Sequence, residues 1–413
     1  MLATIKDMVR NDFQLGYDKL LYAIFFLYTL SLQMLNHTTV FQMISIVFMG
    51  AIFVYMIKAK KLYMSGYIVF FGFFVLYGYF QLYANMTVSR EYTSNMSSTM
   101  LINLIINFFV LNYFFIDDNY KKFPKVFSQT SMIFCAYMLI SNMGSLSYKR
   151  LGWNQPIPFG GGSLYQSNNV GFVFAMAFNM YLYRFVEEKK KRYLIWMGLL
   201  ALCVALTGSR KALLIIMMGV VMILFLTAKG FAKKMRILLV GIVCAVLFFV
   251  AVMKIPVLYD IIGNRMESLI SGAVSGEDKD QSYIVREHLT ELAMEKYKES
   301  PVFGHGLDSF RTMEGSYGLY AHNNFAELLC CTGIVGFILF YLPYGVALLK
   351  LIYSLVVRNS KLIMLALSLL IIETAMEYGN VAYFERLYLT LVMFTYVVGT
   401  KPINNTQKKE NNC

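Results

Sequence analysis

Apolar residues run in blocks along this chain, and short polar or basic connections divide the blocks. A helix needs roughly 20 mostly apolar residues to cross a bilayer, because the hydrocarbon core is about 30 Å thick. Twelve blocks approach that length, at 19–36, 39–57, 63–84, 99–116, 126–146, 168–186, 193–207, 211–228, 235–253, 323–349, 362–379 and 384–399. The pattern predicts an all-α fold, a polytopic transmembrane helix bundle of about twelve spans. Runs 193–207 and 211–228 are short, so a re-entrant segment in place of one span stays open. One segment breaks the rhythm: residues 254–322 are polar and far longer than the other connections. Loops of that length without a purpose are uncommon. Within this loop Ser282 is placed to cap a helix, Val285, Leu289 and Leu292 share one face, and Pro301 follows the end. The chain thus divides into an N-terminal membrane region (1–253, about nine spans), a large loop (254–322), a C-terminal membrane region (323–399, about three spans) and a tail (400–413).

Composition agrees with that class. Hydrophobic residues make up 58% and charged residues 15%, with a mean hydropathy of +0.56; a soluble domain carries about a quarter charged residues. The net charge is +13. Its lysines and arginines gather in alternate short connections, at Lys121, Lys122 and Lys125, at Arg184 and Lys189 to Arg192, at Lys229, Lys233, Lys234 and Arg236, and at Lys350, Arg358 and Lys361. Positive residues stay on the cytoplasmic side. Both termini are therefore expected in the cytoplasm and 254–322 outside. No basic, aromatic-interleaved soluble domain is present, so nucleic acid is not an expected partner. The first apolar run has no clear cleavage site after it and reads as a retained helix. Of the six cysteines, Cys135, Cys203, Cys244, Cys330 and Cys331 lie in apolar runs and Cys413 ends the chain. Neither a disulfide framework nor a metal-ligand spacing is expected from them.

Polar residues beside a membrane carry the candidate chemistry. Leu206-Thr207-Gly208-Ser209-Arg210-Lys211 forms an outer turn between two runs. An arginine fork there fits phosphate oxygens; the plainer reading is a helix-end arginine snorkelling to the interface. Arg265 and Arg286 lie in the large loop, which holds eleven acidic residues between Asp260 and Glu314. Arg286 has Asp280, Glu287 and Glu291 as candidate ion-pair partners. His322 ends the loop in Ala321-His322-Asn323-Asn324, where a histidine can serve as a general base. Asn323 or Asn324 could cap the following helix or orient the ring, and Glu327 follows one turn on. The alternative is a helix cap with a bystander histidine. His305 lies in a glycine-punctuated turn, Pro301-Val302-Phe303-Gly304-His305-Gly306, and ranks below His322. Asp278-Lys279-Asp280 formally matches a metal- and nucleotide-binding DxD pattern, which arises cheaply in an acidic loop. Gly160-Gly161-Gly162 lacks the Lys and Ser/Thr of a phosphate loop. Glu373, Glu377, Glu385 and Arg386 fall near the outer ends of the last two runs, either lining a cavity or forming structural clusters.

In combination these patterns resemble the O-antigen polymerase and ligase superfamily. Thr207-Gly208-Ser209-Arg210 opening a span is one part of the likeness. An arginine-bearing helix leading into Ser300-Pro301-Val302-Phe303-Gly304-His305-Gly306 and Phe310 is another. Ala321-His322-Asn323 with Gly333-Ile334-Val335-Gly336 beyond it is the third, and Asn168-Asn169-Val170-Gly171 also looks familial. The resemblance implies a GT-C-like, inverting, metal-independent glycosyltransferase of the bacterial cytoplasmic membrane, with its active site on the outer face and no cofactor. It implies undecaprenyl-diphosphate-linked oligosaccharides as donor and acceptor, with a chain-length regulator and a flippase as partners. By the same resemblance Arg210 matches the family's Ser-Arg motif, and Arg265 and Arg286 are candidates for the loop arginines that grip the diphosphate. His322 matches the histidine that engages the acceptor hydroxyl. Ser209, Lys211, Asn323, Glu327 and His305 are the expected substrate-binding residues.

Physical reasoning runs the same way. Cleaving sugar from a lipid diphosphate builds negative charge on the leaving group, which arginines stabilise. The acceptor hydroxyl loses a proton, which suits His322. Polymerases extend a lipid-linked chain, whereas ligases pass it to lipid A core. Richness in Lys, Asn, Tyr, Phe and Met is common in bacteria with AT-rich genomes, some of which make capsules and lack lipid A, and this favours a capsule or exopolysaccharide polymerase. A flippase or transporter is the competing class; it places charged residues near the midplane in paired halves, whereas here they lie at the outer rim.

Overall fold

The computed structural model describes residues 2–36, 38–144, 150–254, 259, 263, 267 and 281–401. Each of the twelve apolar runs falls on a helix. In chain order these are α1 (Leu2–Met34), α2 (Thr39–Ala59), α3 (Gly66–Tyr83), α4 (Arg90–Phe115), α5 (Phe123–Asn142), α6 (Ser167–Glu188), α7 (Arg192–Thr207), α8 (Arg210–Thr227) and α9 (Phe231–Lys254). They continue with α10 (Gln281–Glu299), α11 (Asn324–Arg358), α12 (Lys361–Met376) and α13 (Arg386–Thr400). Of these, α10 is the helix expected inside the large loop. No named strand occurs among the described residues.

Among the described residues, six stretches are long and apolar enough to cross a membrane: Thr39–Ala59, Gly66–Tyr83, Arg90–Asn142, Arg210–Thr227, Asn324–Arg358 and Lys361–Gly379. The 53-residue stretch Arg90–Asn142 is interrupted where Asp117 and Asp118 take left-handed backbone angles. Helices α7 and α13 are apolar but span only 16 and 15 residues.

The chain forms two compact units. One comprises residues 1–63 and 121–280, and the other 64–120 and 281–413. In the first, α1 packs on α2 and α5, and α6 packs on α5, α7 and α8. Aromatic rings fill its core; Tyr28 and Phe48 stack at 4.7 Å. The Cys135 and Cys203 thiols, both free and buried, touch between α5 and α7 at 3.2 Å. A buried arginine closes one end of α6. Its guanidinium donates to Ser128 Oγ, Tyr193 OH and Glu188 Oε1, which leaves the Arg184 charge paired and hydrogen-bonded.

In the second unit α11 packs on α3, α10, α12 and α13, and α4 on α3 and α13. Helix α10 is amphipathic, as its spacing predicts: Leu289 and Ala293 are buried against Phe310, Ala321, Ala326, Cys330 and Cys331, with Val285 and Leu292 partly buried beside them. Its start differs from the expectation. Ser282 lies inside the helix, one residue past Gln281, and so does not hold the cap position.

Candidate active site

His322 stands at the junction between the polar segment and α11, with a backbone φ of +55°. Few non-glycine residues adopt that left-handed conformation, and one that does is held there by its surroundings. Its flanks supply the hold. The Ala321 amide donates to Glu327 Oε2 at 2.7 Å, and the Ala321 carbonyl accepts from Thr290 Oγ1 of α10 at 3.1 Å. Asn323 caps α11: its Oδ1 accepts the amides of Phe325 and Ala326 at 3.0 and 3.3 Å. Ala321 and Asn323 are buried, while His322 is partly exposed.

Asn324 has a different job. Its Oδ1 accepts the amides of Ala382 and Tyr383, and its Nδ2 donates to Tyr341 OH and Glu377 Oε2. All four hydrogen-bonding positions of this buried amide are filled. Glu377 also accepts from Tyr341 and Tyr344. Of the two asparagines left open by the sequence, Asn323 is thus the cap and Asn324 a polar latch onto the 377–383 turn. Glu327 is fully buried in the first turn of α11. One of its oxygens is spent on Ala321, and the other lies 3.9 Å from Cys331 Sγ.

The glycine-punctuated turn docks onto a break in α11. Gly333, at φ 61° and ψ −170°, opens the helix. Backbone groups freed inside a membrane helix must find new partners. Here the 301–306 turn provides them: Ile334 N donates to Pro301 O at 2.9 Å, Gly306 N to Cys331 O at 2.9 Å, and His305 N to Cys330 O at 3.1 Å. Tyr77 OH and Gln81 Nε2 from α3 reach the Phe303 carbonyl at 2.8 and 2.7 Å, and also the carbonyls of Thr332 and Cys331. A Cβ on Gly304 would come within 2.5 Å of the Cys331 backbone. His305 Nε2 lies 2.8 Å from the Lys296 carbonyl. A carbonyl only accepts, so this ring nitrogen carries the proton and His305 ties the turn to α10.

Two residues beyond the turn's end at Gly306, Asp308 is buried, with 1% exposure and φ +64°. It accepts from Arg311 Nη2 at 2.6 Å. The Arg311 guanidinium lies over two rings, Tyr92 at 4.4 Å and Tyr320 at 4.9 Å. Burial pushes the Asp308 carboxyl up to about 6, against the pull of Arg311. Ser309, Thr87 and Thr93 share hydroxyl contacts of 2.7 to 3.1 Å beside it.

In the other unit, Arg210 opens α8. Thr207 ends α7, Gly208 takes the left-handed position at φ 59°, and Ser209 caps α8, its buried Oγ accepting the Ala212 amide at 3.4 Å. Gly171 of α6 presses against this turn; a Cβ there would sit 2.8 Å from Thr207 Oγ1 and 3.0 Å from Ser209 Cβ. That contact explains the glycine of the Asn168–Gly171 motif. Arg150 completes the turn. Its Nε donates to the Thr207 carbonyl at 2.7 Å and its Nη2 to Asn168 Oδ1 at 3.1 Å, while Leu151 N takes the Leu206 carbonyl at 2.9 Å. Arg210 and Lys211 are both partly exposed at the α8 N-terminus, where the helix dipole favours an anion.

Arg286 is partly buried on α10. Arg265 and Asp278-Lys279-Asp280 lie outside the described residues. Arg386 donates from Nε to Asn103 Oδ1 at 2.7 Å, and Asn103 in turn holds the Phe384 carbonyl. Glu373 is buried, with no hydrogen-bond partner for either oxygen among the described residues. No group of three or more His, Cys, Asp or Glu is arranged to hold a metal among the described residues.

Sequence reasoning overlooked Arg150, Thr290, Asp308 and Arg311. For Arg150 the available signal was an arginine in an outer connection just before the Asn168 motif. For Asp308 and Arg311 it was an opposite-charge pair three residues apart, directly after the glycine turn.

Residues 195–341 match the family model described as O-antigen ligase. That match supports the resemblance to the O-antigen polymerase and ligase superfamily. The matched segment contains the Arg210 turn, α10, the docked glycine turn and His322. No curated protein matches the chain.

Proposed function

We propose that this protein belongs to that superfamily and is a polysaccharide polymerase, a multi-pass enzyme of about twelve spans in the bacterial cytoplasmic membrane. It moves a growing glycan from undecaprenyl diphosphate onto a lipid-linked repeat unit at the outer face, as in capsule, exopolysaccharide or O-antigen synthesis. The observation that carries this reading is the fixed, partly exposed His322 segment. A base must meet its hydroxyl within hydrogen-bond reach, and a histidine held through both neighbours needs little reorganisation to do so.

Arg210, Lys211 and Arg150 offer guanidinium and ammonium groups to a diphosphate and stabilise the charge it gains as the sugar–oxygen bond breaks. His322 takes the proton of the acceptor hydroxyl, and by the family resemblance Arg286 is a candidate diphosphate ligand. Arg265 keeps the same candidate role. On this reading the acceptor hydroxyl displaces the diphosphate in one step, which inverts the anomeric centre, and arginines in place of a metal take the leaving-group charge. Ligation of finished polymer to lipid A core uses the same chemistry and differs only in the acceptor. A chain-length regulator and a flippase are the partners such a polymerase would work with.

The test is transfer by the purified chain in lipid, with chelator present. A lipid-linked repeat unit as acceptor giving lipid-linked dimers and longer products supports the polymerase. Transfer only after lipid A core is added assigns a ligase. Movement of lipid-linked sugar across the vesicle without transfer would replace the enzyme by a carrier.

A further inference from the structure

The Asp308–Arg311 pair is not part of the transfer chemistry just described, yet it sits against the segment that carries His322. Asp308 has almost no solvent contact and a left-handed backbone. Its carboxylate binds Arg311 Nη2 at 2.6 Å. Arg311 is partly exposed, and its guanidinium lies over the rings of Tyr92, from α4, and Tyr320. On its own side Tyr320 packs on Phe384, with ring centroids 5.5 Å apart. Phe384 is in turn tied through its carbonyl to Asn103. Tyr320 is therefore held by Arg311 and Phe384, two residues before His322.

We propose that Arg311 is a positioning residue for the transfer reaction: anchored by Asp308 and Tyr92, it holds Tyr320 and so fixes the 320–323 segment that presents His322. The inference rests on the reading of His322 as the acceptor base. A guanidinium suits this place because it is flat, keeps its charge, and can lie on an aromatic face while its edge holds a carboxylate. A lysine ammonium is a compact, strongly hydrated point charge and does both poorly. The unspent atoms fit a support role: Asp308 Oδ1 and Arg311 Nε are buried without hydrogen-bond partners among the described residues. The pair therefore tolerates unmet polar capacity to keep Arg311 in place, as residues behind a working site often do.

Two readouts test this on the full-length protein in lipid nanodiscs. Transfer kinetics with a lipid-linked repeat unit should show R311A losing about tenfold or more in kcat with KM within about twofold, because the acceptor base is misplaced while binding is kept. R311K should recover little of that loss, and Tyr320→Phe, which keeps the ring, should stay near wild type. Hydrogen–deuterium exchange should show the Ala321 amide protected in the wild type and faster in R311A. Wild-type kcat in a folded R311A, or Ala321 exchange unchanged by it, overturns the inference. If R311A fails to fold, Tyr320→Leu is the substitute, with the same two outcomes. A wild-type chain that makes no product instead sinks the transfer reading, and the exchange measurement still decides whether Arg311 fixes this segment.

Discussion

From the first turn of α11, Glu327 reaches back to accept the Ala321 amide at 2.7 Å, and this bond shapes the backbone on which His322 sits. The carboxylate is buried, so its effect on chemistry runs through that bond. Glu327→Ala leaves a buried amide without an acceptor, which costs about 1–3 kcal/mol. The expected result is a large fall in kcat with little change in KM. Glu327→Gln keeps an acceptor oxygen and should lose much less. Steady-state kinetics on the two variants checks the ordering.

Arg150 should behave differently, as a binding residue. It seals the α7 C-terminus through the Thr207 carbonyl beside Arg210. Arg150→Ala is expected to raise KM for the diphosphate-linked donor about tenfold, equivalent to about 1.4 kcal/mol. Arg150→Lys should restore part of it. An unchanged KM in Arg150→Ala would remove this residue from the donor site.

Gly304 predicts a stability effect. Its φ of +72° is strained for any side chain, and a Cβ would meet Cys331 carbonyl atoms at 2.5 Å. These are backbone atoms of a helix and cannot swing aside. Gly304→Ala should lower the thermal midpoint of the detergent-purified protein by several degrees and reduce its yield in the membrane.

Much of this was legible in the sequence, for reasons that particular residues make plain. Membrane helices announce themselves through long apolar runs, and α10 through the spacing of Val285, Leu289 and Leu292. His322 and Arg210 stood out as candidates because polar and charged residues beside a membrane are costly to keep. What stayed hidden depends on partners far apart in sequence. Arg150 caps a carbonyl 57 positions away. The break at Gly333 lies inside an unbroken apolar run, and only the docked 301–306 turn accounts for it. The same holds for Asn324, whose latch closes on residues 377–383, and for Arg311, which needs Tyr92 from α4. Ser282 was placed as a cap from residue type alone, and α10 starts before it.

The Asp308 carboxyl offers a pH prediction with a definite sign. Its pKa rises from 3.8 in the unfolded chain to about 6 in the fold because burial disfavours the charge. Between those values the folded protein binds more protons at this site, so stability falls as pH rises through the window. The ceiling of the effect is about 3 kcal/mol. Asp308→Asn should lack this component. Comparing thermal midpoints of wild type and variant from pH 4 to pH 7 checks it: the variant should gain on the wild type as pH rises and level off above about pH 6.

Glycan transfer by His322 and Arg210 would show in the length of the lipid-linked products. Wild-type protein, His322→Ala and Arg210→Ala would each be reconstituted with a lipid-linked repeat unit, and their products separated by length. The wild type should give a ladder spaced by one repeat unit, and both variants unextended substrate although each is folded in the membrane. Ladders of wild-type length and amount from the two variants would contradict it.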